Sequence, residues 1–255
     1  MKERERQEKI LNLLKNSRFL SNAKMMELLD VSEATIRRDL SKLAKQGLIR
    51  RLRGGAETLE GFIRTRPAWE PFKTINIINI EEKKRIAQKA AELCTPGESI
   101  IIDGGTTTNL MVEFLKDTDL QILTNALHTA VDLIKNTNNR VILPGGEVFR
   151  EQKVIVSPFE NDTIQQYSAS KLFMATQGIT QVGLTQWDSL LIRAQQKLMN
   201  QAEHIIILAD SSKFNQRGSL ILCPLKRIDT VITDSGIDQE SVKMLEGEHI
   251  ELIIV

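Results

Sequence analysis

Four short polar runs in this 255-residue chain carry residue types that hold small anions. They are Asp103-Gly104-Gly105-Thr106-Thr107-Thr108, Thr124-Asn125, Pro144-Gly145-Gly146-Glu147 and Asp210-Ser211-Ser212-Lys213. Glycines let a backbone approach a ligand closely, and threonines supply hydroxyls. A helix after the first run adds free N–H groups and a positive dipole end. Lys213 closes a hydroxyl-rich turn and suits a phosphate or sugar oxygen as a point charge. Taken singly, each run also reads as an ordinary turn or polar surface. Together they describe a small, oxygen-rich, anionic ligand. The first run is neither GxGxxG nor a Walker loop, so dinucleotide and nucleoside triphosphate binding lack support.

Catalysis at the same place would need a base beside the substrate. Asp103 and Asp210 are the strong carboxylate candidates, and both can equally serve to orient loops. His128 and His204 have no obvious nucleophile partner. Cys94 and Cys223 show neither CxxC spacing nor clustered histidines, so no disulfide framework, metal site or cofactor is expected.

Each polar run follows a short apolar segment. Strands are expected at Ser99–Asp103, Gln121–Thr124, Arg140–Leu143, Lys171–Ala175, His204–Ala209, Thr230–Thr233 and Ile250–Val255. Helices are expected at Glu81–Leu93, from about Thr107, at Ala126–Lys135 and at Leu190–Ala202. β-branched strands alternating with helices mean an α/β domain with a mostly parallel sheet covered on both faces. Ligands of such sheets lie at the carboxyl ends of the strands, where the polar runs fall.

The N-terminal region carries a second chemistry. Ser32 is placed to cap a helix in which Ile36, Leu40 and Leu43 form one apolar stripe. Ala34, Arg38 and Ser41 then face outward, flanked by Thr35, Arg37 and Lys42. Arginine can fork to guanine in the major groove, while Ser, Thr and backbone N–H groups hold phosphates. Leu48–Gly55 is expected to form a basic ribbon, with Arg51 and Arg53 toward the DNA backbone. Two helices upstream, residues 4–15 and Ser21–Leu29, complete the helix-turn-helix order.

Charge agrees with that reading. Residues 1–56 hold 14 Lys+Arg against 7 Asp+Glu (net +7), and the remainder holds 20 against 26 (net −6). A near-neutral chain thus divides into a basic module and an acidic body, as expected when one part meets phosphates. Aromatic residues are only 4%, which argues against base-stacking RNA or single-strand surfaces. No apolar run spans a bilayer and Met1–Arg6 lacks the core of a signal peptide, so a cytoplasmic protein without membrane partners is expected. The domains read as 1–56 (winged helix-turn-helix), 57–76 (a linker with Pro67 and Pro71, partly docked through Trp69 and Phe72) and 77–255 (sensing and oligomerisation).

Val31-Ser32-x-x-Thr35-Ile36-Arg37-Arg38-Asp39-Leu40, followed by Gly47-x-Ile49-x-Arg51-x-x-Gly54-Gly55-Ala56, resembles the signature of the DeoR family of bacterial transcriptional regulators. Arg53 stands where many members have histidine. The resemblance continues through Asp103–Thr107, Leu123-Thr124-Asn125, Gly145-Gly146-Glu147 and Ala209–Phe214. It implies a ribose-5-phosphate-isomerase-like sensor domain that binds phosphorylated sugars or sugar acids. It further implies effector contacts from Gly104, Gly105, Thr106, Thr107, Asn125 and Lys213, to which Asp103, Gly145, Gly146 and Asp188 are added as strand-end candidates. Arg66-Pro67-x-Trp69-x-Pro71, Ser157-Pro158 and Gly183-Leu184-x-x-x-Asp188 are most similar to the L-ascorbate utilisation repressors, whose inducer is L-ascorbate 6-phosphate. One departure concerns the helix before the last inner strand. Many members carry glutamate and lysine there; this chain has Leu191–Gln196, in which Arg193 or Gln195 is the available replacement.

The expectation is a homo-oligomeric, non-enzymatic repressor of a carbohydrate-utilisation operon that binds double-stranded operator DNA and leaves it when a phosphorylated sugar binds. The alternative is a sugar-phosphate isomerase-like enzyme carrying a DNA-binding module.

Overall fold

A computed structural model describes residues 3–15, 19–45, 48–52, 54–58, 79–159 and 162–255. The expected linker from residue 59 onward, with Trp69 and Phe72, lies outside these residues, as do Gly47 and Arg53. The chain divides into two compact units, Met1–Ala68 and Trp69–Val255.

The first unit contains α1 (Glu3–Lys15), β1 (Phe19–Ser21), α2 (Asn22–Leu29), α3 (Glu33–Lys45), β2 (Ile49–Leu52) and β3 (Gly55–Thr58). Ile10, Leu14, Met25, Ile36, Leu40, Leu43 and Ile49 are all buried in one core, so the stripe of α3 packs inward as its period requires. Asp30 ends α2 in the left-handed conformation (φ 50°), which turns the chain into α3. Buried Asp39 on α3 takes an ion pair from Arg6 Nε at 2.5 Å, tying α1 to α3. The wing is a β2–β3 hairpin turned by Gly54 at φ 85°, with β1 added on the far side of β3. Its pairing runs to Ile49↔Thr58, so the strand continues two residues into the expected linker.

The second unit is built on seven parallel strands. In spatial order these are β15 (Glu251–Ile254), β14 (Thr230–Thr233), β12 (Ala202–Leu208), β9 (Ala169–Ala175), β4 (Ser99–Ile102), β5 (Gln121–Thr124) and β6 (Arg140–Ile142). Ile101, Leu123, Leu172, Ile207 and Val231 enter one core. Their neighbours Ile100, Ile102, Ile122, Phe173, Ile206 and Ile232 enter another on the opposite face. Alternate side chains of a strand point to opposite faces, so continuous β-branched runs mean burial on both.

Helices α4 (Ile80–Glu92), α5 (Thr106–Leu110), α6 (Leu127–Asn136), α7 (Ser189–Met199) and α8 (Gln239–Gly247) accompany the sheet. Two sheets are additional to the sequence-based expectation. One is a hairpin of β7 (Glu147–Phe149) and β8 (Val154–Val156); the other is an antiparallel sheet of β10 (Gly178–Thr180), β11 (Gly183–Gln186) and β13 (Leu220–Cys223). Helix α8, capped by Asp238, is also new. Expected boundaries shift by a few residues. Helix α7 ends at Met199, and β12 starts at Ala202, where its pairing with Ala169 begins. No helix among the described residues is long and apolar enough to cross a membrane.

Candidate functional site

The outward face of α3 assembles most of the expected DNA-reading residues. Ser32, Ala34, Arg37, Arg38 and Lys42 are exposed, and Thr35 and Ser41 half-buried. The N-terminus of α3 is closed by the Ser32 hydroxyl, 3.0 Å from Thr35 Oγ1, and by the Ser32 carbonyl, which accepts from Thr35 and Ile36 N–H. Arg37 pairs with Glu33 one turn back at 2.9 Å. Ser41 Oγ donates to the Arg37 carbonyl at 2.8 Å and accepts from Arg51 Nη1 at 2.7 Å, joining the wing to the helix. The face presents hydroxyl and guanidinium groups without an apolar patch, the chemistry of a groove-reading helix. Arg53 lies outside the described residues.

In the second unit the carboxyl ends of β4, β5, β6 and β12 lie along one edge of the parallel sheet, bringing the four polar runs to one side. Asp103 ends β4 and Asn125 ends β5; both are 2% exposed. The Asp103 carboxylate accepts from Gln195 Nε2 at 2.8 Å and is also hydrogen-bonded by the Gly104 backbone and the Asn125 side chain. Burial outweighs these three bonds and pushes its pKa up to about 6. Gln195 on α7 is held in turn by Gln186 at the end of β11, whose Nε2 donates to Gln195 Oε1 at 3.2 Å. Gln186 Oε1 accepts from Trp187 N–H at 2.9 Å. Asn125 Oδ1 is buried and has no hydrogen-bond partner among the described residues.

The glycines after Asp103 are required by close packing. A Cβ on Gly104 would stand 2.5 Å from Val154 Cγ1 on β8, and one on Gly105 would stand 2.5 Å from Ala175 Cβ. Thr106 is half-buried and Thr107 buried, while Thr108 Oγ1 secures the loop by donating to the Asp103 carbonyl at 2.8 Å. The β7–β8 hairpin is fastened over this loop. Ile155 N–H donates to the Asn125 carbonyl at 2.7 Å, and Leu127 N–H to the Lys153 carbonyl at 3.0 Å. Gly145 and Gly146 lie exposed in the turn leading into β7. Gly146 has φ 151° and would place a Cβ 2.6 Å from the Val156 carbonyl oxygen. The half-buried His128 has its pKa lowered to about 4, chiefly by desolvation.

Asp210, following β12, lies two strand steps from Asp103, or about 10 Å at ordinary strand spacing. Its Oδ1 accepts from Asn79 Nδ2 at 3.0 Å and from Ser212 N–H at 3.1 Å, which makes it a loop organiser. Half-buried Lys213 follows, and the 2%-exposed Lys83 on α4 faces the same turn. Burial lowers the Lys83 pKa; Asp210 opposes that shift and the like charge of Lys213 adds to it. Asp188 caps α7 by accepting from Leu190 N–H at 2.8 Å, so its carboxylate has a structural task at the end of β11. Lys83, Gln186 and Gln195 are absent from the expected binding set. Only Gln195 had a sequence signal, its place where the family pattern breaks. No cluster of His, Cys, Asp or Glu among the described residues is arranged to hold a metal ion.

Two family models match the chain. Residues 6–61 match the DeoR-like helix-turn-helix domain and residues 78–235 the DeoR C terminal sensor domain. The HTH-type transcriptional regulator UlaR of Shigella dysenteriae serotype 1 (strain Sd197) is 32% identical over 255 residues, covering 100% of both chains. The protein of the same name from Escherichia coli O1:K1 / APEC is likewise 32% identical with 100% coverage of each. Among solved structures, ribose 5-phosphate isomerase A from Methanocaldococcus jannaschii overlaps 53% of this chain and 55% of its own, at 14% identity and a TM-score of 0.38.

Proposed function

The chain belongs to the DeoR family of transcriptional regulators, and from that premise we propose that it represses a carbohydrate-utilisation operon and is released by a phosphorylated sugar or sugar acid. It is a regulator and not an enzyme: relatives matched over its whole length are named as transcriptional regulators. The observation that carries the effector reading is the pairing of chemistries along one sheet edge. Buried acceptors at Asp103 and Asn125 suit sugar hydroxyls, while Lys213, with Lys83 facing the same turn, suits an anionic group. The intervening reach is on the scale of a small phosphorylated sugar. The resemblance of Arg66–Pro71, Ser157-Pro158 and Gly183–Asp188 to the ascorbate utilisation repressors makes L-ascorbate 6-phosphate the first ligand to try.

On this reading Ser32, Ala34, Thr35, Arg37, Arg38, Ser41, Lys42, Arg51 and Arg53 meet operator DNA. A single helix-turn-helix reads few base pairs, so operation requires a dimer or tetramer on paired half-sites about one helical turn apart. The second unit supplies the contacts between copies, and the protein works in the reducing cytoplasm. Residues 1–56, 57–76 and 77–255 then act as reader, linker and sensor. The effector must prefer the DNA-incompetent state, since equal affinity for both states shifts nothing. The test is to select operators from random DNA with the full-length protein, then titrate sugar phosphates and sugar acids against the bound fragment. Release by one of them supports sensing. An operator affinity indifferent to all of them overturns it.

A further inference from the structure

The hydrogen-bond chain behind Asp103 joins elements from both sheets of the sensor unit. It runs from Trp187 N–H to Gln186, from Gln186 to Gln195 and from Gln195 to Asp103, with Asn125 on the other side of the carboxylate. Gln186 and Gln195 are 5% and 6% exposed, so neither amide is free to turn in water. Each bond fixes the next amide: with Gln186 Oε1 taken by Trp187 N–H, its Nε2 must donate, which makes Gln195 Oε1 the acceptor. Gln195 Nε2 is then left to donate to Asp103. Asn125, whose side chain binds the same carboxylate, keeps Oδ1 buried with no donor among the described residues. A buried acceptor without a donor is costly to leave so, and a ligand hydroxyl would relieve that cost.

We propose that Gln195, oriented by Gln186, is the positioning residue that sets effector specificity, by holding Asp103 and Asn125 as a pair of acceptors for effector hydroxyl groups. The proposal rests on the effector-binding reading above and refines it. A pair of acceptors rejects a phosphate or carboxylate oxygen, which brings no proton and a like charge. The hydroxyl-bearing end of the effector is therefore bound at β4 and β5, and its anionic end toward Lys213. An effector lacking hydroxyls leaves Asn125 Oδ1 without a donor and adds none to Asp103, so it binds poorly. Discrimination, more than total affinity, is the property these amides control.

Titration calorimetry on the full-length protein tests this with D-ribose 5-phosphate, L-ascorbate 6-phosphate, n-propyl phosphate and inorganic phosphate. The wild type is expected to bind at least one of the two hydroxyl-rich phosphates ten-fold or more tighter than n-propyl phosphate. Gln195→Met, matched in length but without the amide, should lose about ten-fold for that ligand and keep its affinity for n-propyl and inorganic phosphate. Gln186→Met should shift the same ratio in the same direction. Equal losses for all probes would make Gln195 merely structural and overturn the proposal. The wild-type comparison does not depend on either variant folding, and equal affinity for hydroxyl-rich and hydroxyl-free phosphates overturns the acceptor pair outright. A wild type that binds no phosphorylated probe at all overturns instead the effector reading on which the proposal stands.

Discussion

Arg51 on the wing and Ser41 on α3 share a hydrogen bond of 2.7 Å, so two side chains proposed to meet DNA also hold the wing against the helix. Ser41 accepts from Arg51 while donating to the Arg37 carbonyl, which places the wing guanidinium beside the middle of the helix. Ser41→Ala removes the acceptor and lets Arg51 wander. Operator affinity should fall three- to ten-fold, in line with about 0.5–1.5 kcal/mol for one hydrogen bond, with little change in melting temperature. Fluorescence anisotropy on operator DNA measures it. Unchanged affinity would mean that Arg51 abandons Ser41 on the DNA.

Arg38 projects from α3 beside Arg37, but among the described residues no ion pair holds its side chain as Glu33 holds Arg37. Arg38→Ala should cost about 1–3 kcal/mol on the operator and far less on random DNA, the signature of a base-edge contact. The same loss on both DNAs would reassign Arg38 to a phosphate.

Asp103 makes a prediction in pH. Its folded pKa of about 6 stands above the ordinary aspartate value of about 3.9, so folding favours the protonated form. The stability this provides is complete below about pH 4 and disappears as pH rises through about 6, a change of roughly 3 kcal/mol. His128, with its folded pKa near 4, acts oppositely in the same window, losing stability as pH falls. Thermal unfolding of the wild type alone therefore mixes the two. The difference between Asp103→Asn and wild type isolates Asp103: the variant should gain relative stability steadily from pH 4 to pH 7. A difference independent of pH would show that the carboxyl is solvated in the effector-free protein.

Gly104 lies under Val154, with room for hydrogen only. Gly104→Ala should destabilise the sensor unit by about 1–3 kcal/mol, the usual range for overpacking. Adding Val154→Ala should restore most of it, because the clash is with one side-chain methyl. Denaturant melts of the three variants measure the coupling, and a failure of the double variant to recover would place the strain in the backbone.

The apolar periods of α3 and of the parallel strands were legible because they are local. Ile36, Leu40 and Leu43 reveal a buried stripe, and runs such as Ile100–Ile102 reveal a strand covered on both faces. The β7–β8 hairpin and the β10–β11–β13 sheet were not. Their strands are only three or four residues long, and β11 pairs with β13 across the whole of α7 and β12. The tight turn at Asp103–Thr107 is readable from its glycines, whereas Gln186 and Gln195, which hold Asp103, come from separate elements and form no motif. Lys83 sits in a charged stretch that reads as solvated helix surface. Its burial comes from the helix packing onto Thr106–Phe114 and strands β12 and β14, a tertiary fact with no local signature.

The double burial of β4 also bears on how such a regulator changes over evolutionary time. Ile100, Ile101 and Ile102 each enter a core, so a polar replacement within the strand is punished on one face or the other. The next residues, Asp103 through Thr107, leave the sheet and pack instead on Gln195, Val154 and Ala175. On the proposed reading, selection can exchange polar groups beyond the strand, and with them the metabolite sensed, while the strand beneath stays constant. New sensory tastes would then arise at the end of β4 without a new scaffold.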